Sequence, residues 1–322
     1  MTTPHQSPLH SPLVFFGSSL MSVKVLNALL NYGIRADIIV TVPDKPQGRK
    51  LVLTPNPTKI WAMEHRVPHL EFAKLNDEAY EKLQSSGNLI SESHDKHGEN
   101  PKLFIVASYG KIIPERFLEI PEFGALNIHP SKLPELRGAS PLQSTILEDK
   151  NKTAVSIIKM DKDMDHGPIF AQKDVDIAEI AQWPVKYSEL EAITANIGAE
   201  LIAENLDAYI SGELKLQEQD HGVATFTTKI SKEDGLINPW IKDAEGQRKN
   251  ILKIRALEAW PGTYFFADKL IKGENKKIRV IIKDAEWLEN EEVGHQLQIT
   301  KVIPEGGKEM TWNSFLQSIG RK

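Results

Sequence analysis

The chain contains no cysteine, which excludes disulfide bonds and thiolate metal sites. It also has no apolar run that approaches the ~20 residues needed by a membrane-spanning helix. Residues 1–12 are polar and rich in proline and serine, and they lack the basic start and apolar centre of a secretion signal. We therefore expect a cytoplasmic protein that does not enter a membrane.

Two common kinds of ligand motif are missing as well. The apolar run Leu13–Phe16 ends at Gly17, but neither a G-x-G-x-x-G nor a Walker sequence follows it, so NAD and ATP sites are not indicated. The acidic run 161–165 has the spacing of a calcium loop. However, His166 stands where that loop requires glycine, and Gln172 stands where it requires a closing acid, so we expect no metal.

Length and charge favour two domains with different surfaces. A chain of 322 residues, 40% of them hydrophobic, has enough apolar material for two ordinary cores. The net charge is -5, yet residues 226–322 carry 17 basic against 14 acidic residues. A mildly basic C-terminal part is suited to contact a polyanion. An ordinary mixed surface explains the same charge equally well.

Strand candidates in the first two hundred or so residues are separated by long connections rather than by tight turns. They are Leu13–Gly17, Ile38–Val42, Leu103–Ala107, Ala125–Ile128 and Thr153–Met160. A helix capped by Ser18 or Ser19 separates the first two. Strands and helices in this order form right-handed parallel crossovers. We predict an α/β fold with a doubly wound, mostly parallel, Rossmann-like sheet, which binds ligands beyond the carboxyl ends of its strands.

A long helix is predicted to close this part of the chain. Ser188-Glu189-Leu190-Glu191 has the spacing of a capping box, and apolar positions continue at helical spacing to about Ile210. Residues 85–101 are polar and without periodicity, so we read them as an exposed insertion ahead of the Leu103 strand.

The rest of the chain is predicted to be a separate domain. Residues 211–225 are polar and contain two glycines, which is typical of a linker between a first domain at 1–210 and a second at 226–322. The second domain combines short β-type runs with a helix from Arg248 to Ala259. This pattern predicts a small β-rich domain built as a partly open barrel.

An amide, an imidazole and a carboxylate are the best candidates for chemistry. Asn127 and His129 are two residues apart in a predicted strand, so their side chains share one face of the sheet. Asp165 follows the next strand, and we expect all three to meet at the carboxyl edge. An amide can stabilise an oxyanion, an imidazole can move a proton near neutral pH, and a carboxylate can orient the imidazole.

The runs Asn127-Ile128-His129, Ser131-Lys132-Leu133-Pro134 and Arg137-Gly138, together with Asp165, resemble the folate-dependent formyltransferases. The resemblance implies that Asn127, His129 and Asp165 are the catalytic residues. It also implies that Ser131, Lys132, Leu133 and Pro134 border the tetrahydrofolate of the cosubstrate 10-formyltetrahydrofolate.

A second run narrows the resemblance. Residues 43–50 contain two prolines and a glycine, which predicts a loop, and they carry Lys45, Arg49 and Lys50. From composition alone this is an ordinary solvated basic loop. However, Pro-Asp-x-Pro-x-Gly-Arg resembles the loop with which some formyltransferases enter the acceptor stem of initiator tRNA. The resemblance implies that Lys45, Arg49 and Lys50 contact the tRNA.

The C-terminal runs 229–237 and 260–262 resemble the tRNA-binding domain of the same enzymes, although the chain lacks about one hairpin between Arg279 and Thr300. The resemblance thus implies formyl transfer from 10-formyltetrahydrofolate to methionyl initiator tRNA for translation initiation. We also expect a monomer that uses no metal and binds no membrane. Two alternatives remain. One is a folate-dependent formyltransferase acting on an amino sugar nucleotide, and the other is a non-catalytic RNA-binding protein.

Overall fold

The computed structural model describes residues 12–47, 51–89, 101–271, 274–290 and 294–321. The chain forms two compact units that interleave along the sequence. The first contains the described residues of Met1–Ala139, Thr153–Val175 and Glu191–Phe226, and the second those of Ser140–Lys152, Asp176–Leu190 and Thr227–Lys322. The predicted division into a first domain at 1–210, a linker at 211–225 and a second domain at 226–322 stays a prediction.

Within the described residues, seven strands form the main sheet in the order β5-β2-β1-β6-β7-β8-β9. They are β1 (Leu13–Phe16), β2 (Ile38–Thr41), β5 (His69–Glu71), β6 (Leu103–Val106), β7 (Ala125–His129), β8 (Lys152–Lys159) and β9 (Ile169–Asp176). Strands β5, β2, β1, β6 and β7 are parallel, while β8 is antiparallel to β7. The predicted mostly parallel, doubly wound sheet is confirmed. Its central strands are buried along their whole length.

Helices lie between these strands along the sequence or follow the last of them. They are α1 (Leu20–Asn31), α2 (Pro57–Glu64), α3 (Asp77–Gln84), α4 (Glu115–Leu118), α5 (Pro141–Leu147), α6 (Ile177–Ile180) and α7 (Tyr187–Ile210). Ser19 caps α1 through a reciprocal capping box with Ser22. The predicted capping box that starts at Ser188 is wrong. Ser188 lies inside α7 and its hydroxyl donates to Glu258 at 2.7 Å, while the Glu189 carboxylate accepts from the Lys186 backbone N–H at 3.0 Å.

The run predicted as a loop at residues 43–50 is partly a β-hairpin. Strand β3 (Lys45–Gln47) pairs antiparallel with β4 (Val52–Thr54), with Lys45 opposite Thr54. Proline is tolerated here because a two-stranded hairpin has only edge strands, on which one N–H can be missing. Gly48, Arg49 and Lys50 lie outside the described residues.

The second unit contains an antiparallel sheet in the order β10-β11-β12-β13. Its elements are α8 (Ala244–Ala256), β10 (Thr263–Ile271), β11 (Glu274–Asn290), β12 (Gly294–Pro304), β13 (Met310–Thr311) and α9 (Trp312–Ser318). The predicted β-rich C-terminal part is confirmed. Helix α8 starts earlier than the predicted Arg248, because the Asp243 side chain accepts from the Gly246 N–H at 2.7 Å and caps it there.

Two further sequence expectations concern the insertion at 85–101 and the absence of a membrane-spanning helix. Of the predicted insertion 85–101, residues 90–100 lie outside the described residues, and Ser86–Leu89 form a short 3₁₀ helix. Across the part of the chain that the structure describes, no helix is long and apolar enough to cross a membrane.

Candidate active site

The structure brings Asn127, His129 and Asp165 together within the first unit. Asn127 Nδ2 lies 3.4 Å from Asp165 Oδ1, and His129 Nδ1 lies 3.6 Å from Asp165 Oδ2. Asn127 and His129 belong to β7, where a period of two places them on one face of the sheet. The side chains of His129 and Asp165 are 5% and 14% exposed, so the site is largely shielded from water.

The route by which Asp165 reaches the site differs from the sequence expectation. Strand β8 is antiparallel to β7 and Lys159, its last residue, lies opposite Leu126. The carboxyl ends of these two strands therefore point to opposite edges of the sheet, and the turn 160–168 has to fold back along β7 to present Asp165. The expectation that all three residues share the carboxyl edge is wrong for Asp165.

The conformation of that turn is unusual. Asp165 has φ 51°, in the left-handed region that non-glycine residues seldom occupy. Its Oδ2 accepts a hydrogen bond from the Gly138 backbone N–H at 2.8 Å. Gly167 passes so close to β8 that a Cβ atom would lie 1.9 Å from the Lys159 carbonyl oxygen. The turn thus depends on a glycine and on a backbone donor from a distant loop.

The hydrogen bonds of His129 define which ring nitrogen faces the site. Its Nε2 lies 3.0 Å from the carbonyl oxygen of Leu136. A carbonyl oxygen only accepts, so Nε2 carries a proton and donates. Nδ1 is therefore the atom that faces Asp165, and it is free to exchange a proton with a reacting group.

Polar groups of the predicted folate-bordering loop, residues 131–134, form hydrogen bonds within the protein that hold the loop in shape. The Ser131 hydroxyl donates to the Glu135 carbonyl at 2.6 Å, and the Leu133 N–H donates to the Ser156 hydroxyl at 3.2 Å. Lys132 is exposed and pairs with Asp174 at 2.8 Å; that hydrogen bond raises the pKa of Lys132. Pro134 follows Leu133 through a cis peptide bond. Ligand binding by these four residues stays a prediction.

Of the three predicted tRNA contacts, Lys45 is exposed on β3, and Arg49 and Lys50 lie outside the described residues. A half-buried cation, Lys59, holds the base of the hairpin. Lys59 Nζ lies 2.8 Å from Asp44 and 2.9 Å from Glu71, and the hydrogen bonds to these carboxylates raise its pKa, that to Asp44 most.

Sequence reasoning missed a polar side chain next to the trio. Gln219 lies in the segment predicted as a linker, yet it is buried and donates hydrogen bonds to the backbone of the turn that carries Asp165. Its polar neighbours gave no local sign of burial. Only the hydrogen bonds of the folded chain reveal it.

Comparison with known proteins agrees with this geometry. Residues 12–191 match the sequence profile described as formyl transferase, and this region includes all three residues of the trio. The chain belongs to the formyl transferase family.

Curated relatives extend the similarity beyond the matched region. The chain is 38% identical to a methionyl-tRNA formyltransferase of Thermotoga sp. (strain RQ2) over 79% of this chain and 75% of that protein. It is 35% identical to a methionyl-tRNA formyltransferase of Carboxydothermus hydrogenoformans over 94% and 95%. Among solved structures, an N-formyltransferase from Helicobacter canadensis, in complex with folinic acid and dTDP-3-aminofucose, shares the fold with TM-score 0.54 and 16% identity over 89% and 98%.

Proposed function

We propose that the chain transfers the formyl group of 10-formyltetrahydrofolate to the α-amino group of methionine on initiator tRNA. One observation carries the proposal: a carboxylate lies 3.4 Å from an amide nitrogen and 3.6 Å from an imidazole nitrogen in a largely buried site. The relatives that match nearly the full length of the chain support the choice of acceptor, since they are methionyl-tRNA formyltransferases.

The trio supplies what acyl transfer to an amine requires. The neutral amine nitrogen attacks the formyl carbon, and the carbonyl oxygen becomes an oxyanion. Asn127 Nδ2 donates to that oxygen, and His129 donates to it from Nδ1, because Nε2 is already bonded to Leu136. The negative charge of Asp165 stabilises the positive charge on the imidazole. Asp165 then accepts the proton that the attacking amine loses. As the oxyanion collapses, the bond from the formyl carbon to folate N10 breaks, and the proton held by Asp165 passes to N10.

The folate is proposed to lie across the ends of β6 and β7. These strands are neighbours and parallel, so the loops that follow them open on the same side. After β6, Ser108 and Gly110 have positive φ angles of 51° and 77°, and the Ser18 hydroxyl donates to the Tyr109 carbonyl at 2.9 Å. Ile112 is 88% exposed, which suits a loop whose apolar surface is covered by a flat ligand.

The hairpin β3–β4 is the proposed contact with the acceptor end of tRNA. Lys45 is exposed on it, and Arg49 and Lys50 belong to its connecting segment in the sequence. Leu51, Val52 and Leu53 are also exposed, so the hairpin offers apolar surface beside its cations. Cations bind phosphates, and apolar side chains pack on unpaired bases. Because charged tRNA is a cytoplasmic substrate, the proposal places the enzyme in the cytoplasm. A monomeric state stays a prediction.

An amino sugar nucleotide is the rival acceptor. The fold is shared with an N-formyltransferase solved in complex with dTDP-3-aminofucose, so the fold does not choose between acceptors. The test compares kcat/KM for methionyl initiator tRNA with kcat/KM for a dTDP-3-amino sugar, each with 10-formyltetrahydrofolate. We expect formylmethionyl-tRNA to form with the higher kcat/KM. A higher value for the sugar nucleotide would refute the proposed acceptor.

A further inference from the structure

We propose that Gln219 is a positioning residue for formyl transfer, because its side-chain amide fixes the turn that presents Asp165. The inference rests on the proposed function for its kinetic consequence. The contacts from which it is argued all lie within the first unit.

The amide nitrogen of Gln219 bonds to both sides of the turn. Nε2 donates to the carbonyl oxygen of Asp165 at 3.1 Å and to that of Gly167 at 2.7 Å. The residue as a whole is 5% exposed. Buried carbonyl oxygens need donors, and one amide NH₂ group here provides a proton to each.

The turn needs such support for two reasons. Asp165 is held at φ 51°, a conformation that persists only where the surroundings determine it. In addition, the turn runs back along β7 instead of continuing from the end of β8, so the main sheet does not dictate its path. The Gly138 N–H fixes the carboxylate from one side at 2.8 Å, and Gln219 fixes the backbone of the same residue.

The orientation of the Gln219 amide is itself fixed. Arg137 Nη2 donates to Gln219 Oε1 at 2.7 Å, and a guanidinium cannot accept, so the oxygen faces Arg137 and the nitrogen faces the turn. Arg137 is 4% exposed and also donates to His221 Nδ1 at 2.8 Å.

The same neighbours connect back to the turn. The His221 ring stacks on the His166 ring at 3.9 Å, and His166 Nδ1 lies 2.7 Å from the Asp161 carboxylate. Arg137, the residue before Gly138, therefore orients the Gln219 amide. The two groups that hold Asp165, the Gly138 N–H and the Gln219 amide, are linked through neighbouring residues of the chain.

Gln219→Glu tests the role of the two donated hydrogen bonds. The glutamate keeps an acceptor for Arg137 and the length of the side chain, but it has no proton for the two carbonyl oxygens. Gln217→Glu is the matched control, since Gln217 lies on the same segment with an exposed side chain and bonds to Ile169 through its backbone. Gln219→Met is the second variant, for use if the buried carboxylate prevents folding.

For Gln219→Glu or Gln219→Met we expect kcat to fall roughly 10- to 100-fold, while KM for methionyl-tRNA and for 10-formyltetrahydrofolate changes less than about twofold. The backbone amide resonance of Gly138 should shift, because its acceptor on Asp165 moves. Gln217→Glu should match the wild type in both measurements. A residue that only stabilises the fold would alter neither kcat nor the Gly138 resonance of the folded protein.

The design separates this inference from the proposed acceptor. If the wild type formylates an amino sugar nucleotide instead, the same kcat comparison is made with that acceptor, and only the acceptor proposal fails. If the wild type formylates neither acceptor, the Gly138 resonance decides. A folded Gln219→Glu or Gln219→Met variant with wild-type kcat, or with an unshifted Gly138 resonance, would overturn the inference.

Discussion

The carboxylate of Asp165 approaches His129 Nδ1 to 3.6 Å and stops short of a hydrogen bond. The same oxygen, Oδ2, accepts instead from the Gly138 N–H at 2.8 Å. The backbone therefore fixes the negative charge, and the charge acts on the imidazole through space. Because Asp165 makes no hydrogen bond to His129, an experiment can separate the loss of its negative charge from a change in the shape of the turn.

Asn127→Ala tests the oxyanion donor. Its amide is half-buried and its contact with Asp165 is at the long limit of a hydrogen bond, so Nδ2 can turn to a developing oxyanion at little cost. We expect kcat to fall by roughly 10²–10³, with an unchanged thermal unfolding midpoint. Steady-state kinetics and calorimetry check this. A fall in kcat that only mirrors loss of folded protein would refute the assigned role.

Gly167→Ala tests the path of the turn. A Cβ atom there would meet the Lys159 carbonyl oxygen at 1.9 Å, so the backbone must move. We expect kcat to drop at least tenfold and the free energy of unfolding to fall by about 1–3 kcal/mol. Urea unfolding measures the second effect. Gly307→Ala in the second unit is the control, because its Cβ would meet nothing nearer than 3.2 Å; equal losses in both variants would contradict the account.

Asp149→Asn tests an ion pair of the second unit. Arg248 donates to both carboxylate oxygens, at 2.7 and 2.9 Å, and these bonds hold the pKa of Asp149 below its usual 3.8. A lowered folded pKa means that the stabilisation is complete above the unfolded value and is lost as pH falls through the folded one. We expect the variant to lose roughly 1 kcal/mol, since solvent partly screens the pair.

The pH dependence of that loss is the measurement. The difference in free energy of unfolding between Asp149→Asn and wild type should be constant from about pH 7 to 5 and should shrink below about pH 4. Urea titrations at several pH values provide it. A difference that grows as pH falls would have the wrong sign for a carboxylate with a lowered pKa.

Arg49→Ala tests the proposed tRNA contact. Removal of one phosphate contact should raise KM for methionyl-tRNA and reduce the salt slope of tRNA binding by about one unit, with little change in folate binding. Arg66→Ala, at an exposed arginine after α2, removes the same charge elsewhere. Equal effects of the two variants would indicate a general charge effect and not a specific contact.

The sequence was informative where local pattern dictates structure. Asn127 and His129 share a face because a strand has a period of two, and the buried strands β1 and β6 are continuous apolar runs. Strand direction is not encoded locally. The antiparallel course of β8 was therefore missed, although Asp165 itself was found through the resemblance.

The burial of Gln219 could not be predicted from the sequence for a related reason. A polar residue in a polar run gives no periodic signal, and its burial depends on Arg137 and on the turn at 165–167, which are distant in sequence. The hairpin β3–β4 was missed because prolines argue against strands, except on edges. These errors share a cause: contacts between distant segments override local preference.

The most direct test of the central claim is single-turnover formyl transfer by wild type, Asp165→Asn and Asp163→Asn. Asp163 is the matched control, an exposed acid in the same turn. The wild type and Asp163→Asn should convert methionyl initiator tRNA to its formylated form at the same rate. Asp165→Asn should bind both substrates and transfer at least 10²-fold more slowly, because the fixed charge beside His129 is gone. Near wild-type transfer by folded Asp165→Asn, or no formylmethionine from the wild type, would contradict the account.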